Sequence, residues 1–218
     1  MKSERAEGVF PATAMPDADW WEALWPNPDQ TLADLGLSPG LRSAVDLCCG
    51  DGLFTAPLAR LAEHVDALDL DAALLELART RLATSAEGEK CAFILGDAYD
   101  VAQLARRPAD LVFMANTFHG APDKTRLARA VANVLAPDGR FVLVNWRQLA
   151  REATPVLGLA RGPATEMRMS PEVTVAAVEP AGFRLLRAVA LPPYHYGAVF
   201  APTAQPEQGD GQVLTSGV

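Results

Sequence analysis

Short apolar runs alternate with helix-patterned stretches along most of this chain. Residues 45–48 form an apolar run, and residues 53–62 then carry a helical pattern. Residues 64–70 are strand-like. A helix is predicted over 71–83, with Asp71 as its N-cap and Leu74, Ala78 and Leu82 on one face. A strand over 91–95, a short helix over 101–105, a buried strand over 110–115 and a helix over 123–135 follow. That last helix carries Leu127, Val131, Val134 and Leu135 on one stripe. Pro137, Asp138 and Gly139 predict a turn into a strand over 140–146. Repeated βα units of this length predict a parallel sheet with helices on both faces.

The ends break the rhythm. Helices are predicted over 17–25, capped by Asp17 and stopped by Pro26-Asn-Pro28, and over 29–37. Ser170 and Pro171 open a helix that Gly182 stops. Residues 183–191 and 195–201 read as strands joined only by Pro192-Pro193-Tyr194, a connection short enough to force an antiparallel hairpin. The first sixteen residues read as loose. Residues 1–40 read as a helical lid segment, 41–201 as the main domain, and 202–218 as a disordered tail.

Composition narrows the class. Half of the 218 residues are hydrophobic, enough for a substantial core. The formal net charge of −8, with no Lys/Arg cluster, argues against phosphate-backbone binding, so no nucleic-acid partner is expected. No run approaches the ~18 apolar residues that span a bilayer, and no apolar segment follows the N-terminus as in a signal peptide. A cytoplasmic monomer or homodimer without membrane attachment is expected. Cys48, Cys49 and Cys91 lack metal spacing, so no metal site is expected. They read as small buried hydrophobes, or Cys48 and Cys49 as a vicinal pair for a soft metalloid.

The chemistry concentrates at Ser43-Ala-Val-Asp-Leu-Cys-Cys-Gly-Asp-Gly52. An apolar strand carrying Asp46 drops into a Gly-x-Gly turn where backbone approaches a ligand closely. A carboxylate beside the turn disfavours a pyrophosphate and favours a cation. Thr55 stands where a dinucleotide fingerprint needs its third glycine, which excludes a nicotinamide dehydrogenase. Asp69 and Asp97 close the next two strands, so three successive strand ends are acidic. Asp69 lies about seventeen residues after Gly52, near where a ribose-binding carboxylate belongs.

Asp46, Gly50 and Gly52 resemble the first motif of class I S-adenosylmethionine (SAM)-dependent methyltransferases, with Cys48 in place of its first glycine. A side chain at 48 is tolerable if φ there stays negative. Residues 134–144 resemble that family's approach to its fifth strand, with Asp138 replacing a glycine. The resemblance spans 43 to about 201. It implies a Rossmann-like seven-stranded, mostly parallel α/β sheet ending in an antiparallel hairpin. It also implies SAM as cofactor and S-adenosylhomocysteine (SAH) as product. Asp46, Cys48, Gly50, Gly52, Asp69 and Leu70 would then line the cofactor site. Asp97 and Ala98 would meet the adenine, and Asn116 the methionine end.

Asn116-Thr-Phe-His119 lacks the Pro-Pro-Tyr of amide and adenine methylators and resembles small-molecule methyltransferases. His119 reads as a general base or a structural histidine. Tyr194, His195 and Tyr196 read as acceptor-site groups or as hairpin packing, with both tyrosines on one face. Trp20 and Trp21 read as a packed helix or as a lid over the acceptor, and Arg161 as a solvated charge or an anion-binding group. Methyl transfer to protein or RNA, and SAM binding without transfer, are the competing functions.

Overall fold

The computed structural model describes residues 10, 11 and 13–203. Residues 1–9 and 12 of the proposed loose segment over 1–16, and most of the proposed disordered tail, fall outside them. Two N-terminal helices, α1 (Ala18–Leu24) and α2 (Pro28–Asp34), precede a doubly wound sheet. Its parallel part alternates β1 (Leu41–Leu47), α3 (Thr55–Leu61), β2 (Ala62–Asp69), α4 (Ala72–Leu82) and β3 (Cys91–Leu95). The chain continues through α5 (Val101–Leu104), β4 (Ala109–Ala115), α6 (Lys124–Ala132) and β5 (Leu135–Trp146). A two-stranded ribbon, β6 (Pro155–Val156) and β7 (Leu159–Ala160), follows, then α7 (Pro171–Val178) and the strands β8 (Phe183–Leu191) and β9 (His195–Pro202).

The strand order is β3-β2-β1-β4-β5-β9-β8. β1 pairs in parallel with both β2 and β4, so the chain reverses its direction of travel across the sheet between them. β9 runs antiparallel between β5 and β8. Strand alternation divides the core. Val45, Leu47, Phe141 and Leu143 pack with Leu127, Val131 and Val178 of α6 and α7 on one face. Ala44, Phe113, Val142 and Val144 pack with Trp21, Trp25, Leu32 and Leu58 of α1 to α3 on the other.

Several local expectations change. Asp17 makes no side-chain cap, whereas Asn27 accepts from Gln30 N–H and makes Pro28 the first residue of α2. The Asn-Pro pair thus starts a helix as well as ending one. Asp71 caps α4 through Ala73 and Leu74 N–H, but Leu75 rather than Leu74 joins Ala78 and Leu82 in the core. Helix α6 ends early because Leu135 is captured by pairing with Ala109, and residues 136–139 form an irregularity inside β5. Residues 151–169, for which the sequence predicts no element, contain the β6–β7 ribbon. Pro202 belongs to β9, and Thr203 N–H donates to Gly182 C=O, so the proposed tail begins later than 202.

Candidate active site

Ligands in such sheets bind beyond the carboxyl ends of the strands where strand order reverses. A cavity of about 1200 Å³ lies there. Its floor is the loop after β1, with Asp46, Cys48, Cys49, Gly50 and Asp51; Asp69 to Ala72 and Ala98 border it. Asn116 and His119, after β4, line it, as do Trp20 and Trp21 of α1, Phe10, Pro11, Thr13 and Met15. Arg151 and residues 161–164 complete the wall.

Asp46 is buried and accepts from Thr55 Oγ1 at 2.6 Å. Burial, against the Thr55 hydrogen bond and reinforced by the Asp69 charge, pushes its pKa to about 7. Asp69 Oδ2 accepts from Gly50 N–H at 2.8 Å, and Oδ1 from Asp71 N–H at 2.9 Å. These bonds tie the end of β2 to the turn after β1. Burial raises the Asp69 pKa, while its backbone donors oppose the rise. Each oxygen retains a lone pair for a further donor. Asn116 has φ 60°, and both polar atoms of its side chain are buried without a hydrogen-bond partner.

Two residues proposed for the cofactor do not line the cavity. Gly52, at φ 81°, turns the spot a Cβ would occupy toward Ala78, 2.9 Å away, so it lets α4 close on the turn. Asp97 accepts from Tyr99 N–H at 2.9 Å and caps the 3₁₀ turn that carries Ala98. The expected negative φ at Cys48 is also overturned: its φ is 61°. The turn holds Cys48 in the left-handed region, where a glycine would carry no steric cost. Cys48 and Cys49 line the cavity, yet burial raises both thiol pKa values, which disfavours the thiolate. Among the described residues no group of three or more His, Cys, Asp or Glu is arranged to hold a metal.

The hairpin aromatics require a larger correction. Tyr194, His195 and Tyr196 are all absent from the cavity wall. Strand β9 begins at His195, so Tyr194 lies in the turn and escapes the strand alternation. It packs on the same side as His195, stacks on Trp146 and donates to Pro155 C=O at 2.8 Å, fastening the β6–β7 ribbon. His195 is sealed between Trp25 and Trp146, with ring centroids 4.5 and 4.3 Å away. Burial drives its pKa well below the ordinary value, with the Arg168 charge adding to the effect. It is therefore a neutral core imidazole. Tyr196 points to the opposite face, where its hydroxyl lies 2.6 Å from Thr174 Oγ1.

Of the proposed acceptor-site groups, His119, Trp20, Trp21 and Arg161 line the cavity. Trp20 and Trp21 are also buried in the core, so α1 is both a packed helix and a cavity wall. Sequence reasoning missed Thr55, Phe10, Met15, Trp146 and Arg151. Trp146 was within reach, because it ends β5 on the ligand side of the sheet. The 10–16 segment carries no periodic signal, yet Phe10 is buried edge-on against Tyr99.

The Rossmann-like sheet, with Asp46 and Asp69 at strand ends beside a cavity at its switch point, has the layout of a ligand-binding α/β domain. Residues 45–143 match the family model of a methyltransferase domain. The ubiquinone biosynthesis O-methyltransferase of Xanthomonas axonopodis pv. citri is 30% identical over 132 residues, 57% of this chain and 54% of that protein. The demethylmenaquinone methyltransferase of Leptospira interrogans is 30% identical over 100 residues, 45% of this chain and 40% of that protein. The chain thus spans about half the length, or less, of these curated relatives. A SAM-dependent methyltransferase from Aquifex aeolicus superposes with a TM-score of 0.70 at 21% identity, covering 84% of this chain and 93% of that one. The glycopeptide N-methyltransferase MtfA complexed with sinefungin superposes with a TM-score of 0.63 at 20% identity, covering 88% and 89%. Residues 45–143 thus match a methyltransferase-domain model, and the chain has the fold of the SAM-dependent methyltransferases on which it superposes.

Proposed function

We propose that this protein transfers a methyl group from SAM to a small-molecule acceptor. The observation that carries the reading is the polarity of the cavity: the buried Asp46 and half-buried Asp69 at the ends of β1 and β2, with aromatic rings and arginines in the same lining. SAM supplies an electrophilic methyl on a sulfonium; the acceptor's lone pair forms the new bond, and the C–S electrons leave with sulfur as SAH. The residues fit that ligand. Asp69, fixed by two backbone amides, accepts from vicinal ribose hydroxyls. Asp46 would meet the ammonium of the methionine moiety, and the unpartnered Asn116 amide would supply a donor and an acceptor to it. Gly50 allows close backbone approach, Cys48 and Leu70 border the same space, and Asp97 holds the turn that presents Ala98 to the adenine.

Chemistry at an activated methyl depends mainly on alignment, so positioning accounts for most of the rate. His119 takes the acceptor proton where the nucleophile is a hydroxyl. Its place in the wall after β4 supports this role. The aromatic-lined cavity of about 1200 Å³ favours a small acceptor, as do relatives named for ubiquinone biosynthesis and for demethylmenaquinone. Among the described residues no helix is long and apolar enough to cross a membrane.

Calorimetric titration with SAH tests the reading. One site is expected, with affinity reduced at least about tenfold by Asp69→Ala, the loss of a charged hydrogen-bond partner. His119→Ala is expected to keep SAH binding while turnover falls on the order of 100-fold. A folded wild-type protein that ignores SAH would sink the proposal. Binding without turnover across an acceptor screen would favour a non-catalytic SAM binder.

A further inference from the structure

We infer that the acceptor is a ring-bearing acid whose carboxylate docks on Arg151 and Arg161. This inference rests on the methyl-transfer reading and specifies its substrate class. Both arginines line the cavity. They lie in a segment, 147–169, with four arginines and only two acids, Glu152 and Glu166. Among the described residues neither Arg151, Arg161 nor Arg168 has a carboxylate at ion-pair distance.

Their contacts hold them in place without neutralising them. Arg151 Nε donates to Gly162 C=O at 3.0 Å. The Arg161 guanidinium lies 5.1 Å from the centre of the Trp20 ring, and its Nε is buried with no partner. Arg168, behind them, is only 3% exposed. It donates to Pro163 C=O, Thr154 Oγ1 and Arg161 C=O, yet its Nη1 is buried and unpartnered. Burial and the Arg151 charge lower its pKa, with Glu152 opposing. Holding the buried Arg168 and the half-buried Arg161 beside the exposed Arg151 with no counter-charge is costly to the folded state. An incoming anion offsets that cost, and guanidinium forks suit a carboxylate.

The rest of the cavity sets the ligand's shape and direction. Trp20, Trp21 and Trp146 provide aromatic surface beside the arginines, which favours a planar ring. Asp46 and Asp69 make the other end acidic and repel a second carboxylate from it. An acid therefore enters with its anionic end toward the arginines and its opposite end toward the methyl donor.

Two carboxylates share this chemistry, the acceptor's and that of the cofactor's methionine moiety, and the experiment separates them. Aromatic carboxylic acids and their matched primary carboxamides are titrated into SAH-saturated and ligand-free protein. The acids are expected to bind at least tenfold more tightly than the amides. The difference should shrink at about 1 M salt, where screening is strong. It should disappear in Arg161→Gln and in Arg151→Gln, and survive in part in Arg161→Lys. Equal affinity of acids and amides, or no binding of either, overturns the inference. In the second arm, Arg161→Gln is titrated with SAH and with 5′-methylthioadenosine, which lacks the carboxylate. Weakening of SAH alone would assign the arginines to the cofactor and also overturn the inference. Failure of wild-type protein to bind SAH would instead refute the methyl-transfer reading, while the acids titrated into ligand-free protein still report on the arginines.

Discussion

At the residue scale, Asp46 carries opposing demands. A buried carboxylate beside Asp69 is suited to meet a cation, and without one it holds its proton up to about pH 7. The unfolded chain releases that proton near pH 4. The folded state therefore binds more protons between those values. The stabilisation is complete below about pH 4 and is lost as pH rises through about 7. Asp46→Asn removes this contribution. Between pH 5 and 8 its urea-unfolding free energy should fall by about 2–3 kcal/mol less than wild type's, at about 1.4 kcal/mol per pH unit for one proton. Asp69, shifted in the same direction, leaves some slope behind. Parallel profiles for the two proteins would refute the assignment. Cys48 shows what a local rule misses. Its left-handed φ is a property of the turn, so Cys48→Gly should change stability by less than about 1 kcal/mol. Cys48→Val should destabilise by about 2 kcal/mol or more, because a β-branched side chain resists that φ. Urea midpoints measure both.

At the element scale, the site depends on how α4 meets the turn after β1. Gly52 lies against Ala78, and Arg81 of α4 pairs with Asp51 on the same turn while lying 3.8 Å from Glu22 of α1. One helix thereby fastens both the cavity floor and the N-terminal wall. Gly52→Ala places a methyl in the Ala78 contact at an unfavourable φ. It should cost on the order of 2 kcal/mol and weaken SAH binding through displacement of the turn. Unchanged stability in thermal unfolding would show that α4 shifts freely. Helix identities and most caps were legible because they rest on neighbours in sequence: Asp71 and Ser170 cap as their positions predict. Helix α6 lost its last turn because Leu135 pairs with Ala109, a partner distant in sequence.

At the scale of the whole molecule, the cavity is assembled from segments that span most of the chain, from residue 10 to residue 164. A ligand that bridges them stabilises the entire fold by mass action. SAH at 100 times its dissociation constant should raise unfolding free energy by about 2.7 kcal/mol. Tryptophan fluorescence should change in the same titration, because Trp20, Trp21 and Trp146 line the cavity. A spectral change without stabilisation would place the ligand at a site that does not hold these segments together.

The sequence by itself determined the alternation of strands and helices, the terminal antiparallel hairpin, and the acidic strand ends around the first glycine turn. These follow from periodicity, short connections and turn chemistry, all of which act over a few residues. Only the tertiary structure decided which polar groups reach the cavity. His195 and Tyr196 carry the chemistry of a site and alternate across the sheet as expected, yet packing seals both in the core, and Tyr194, just before β9, falls on the side of His195. Arg151 has no distinguishing local pattern, and only the fold brings it to the cavity that Trp146 also lines. Side-chain direction at strand ends and the packing of irregular segments depend on contacts between residues far apart in the chain, and no local pattern encodes those contacts.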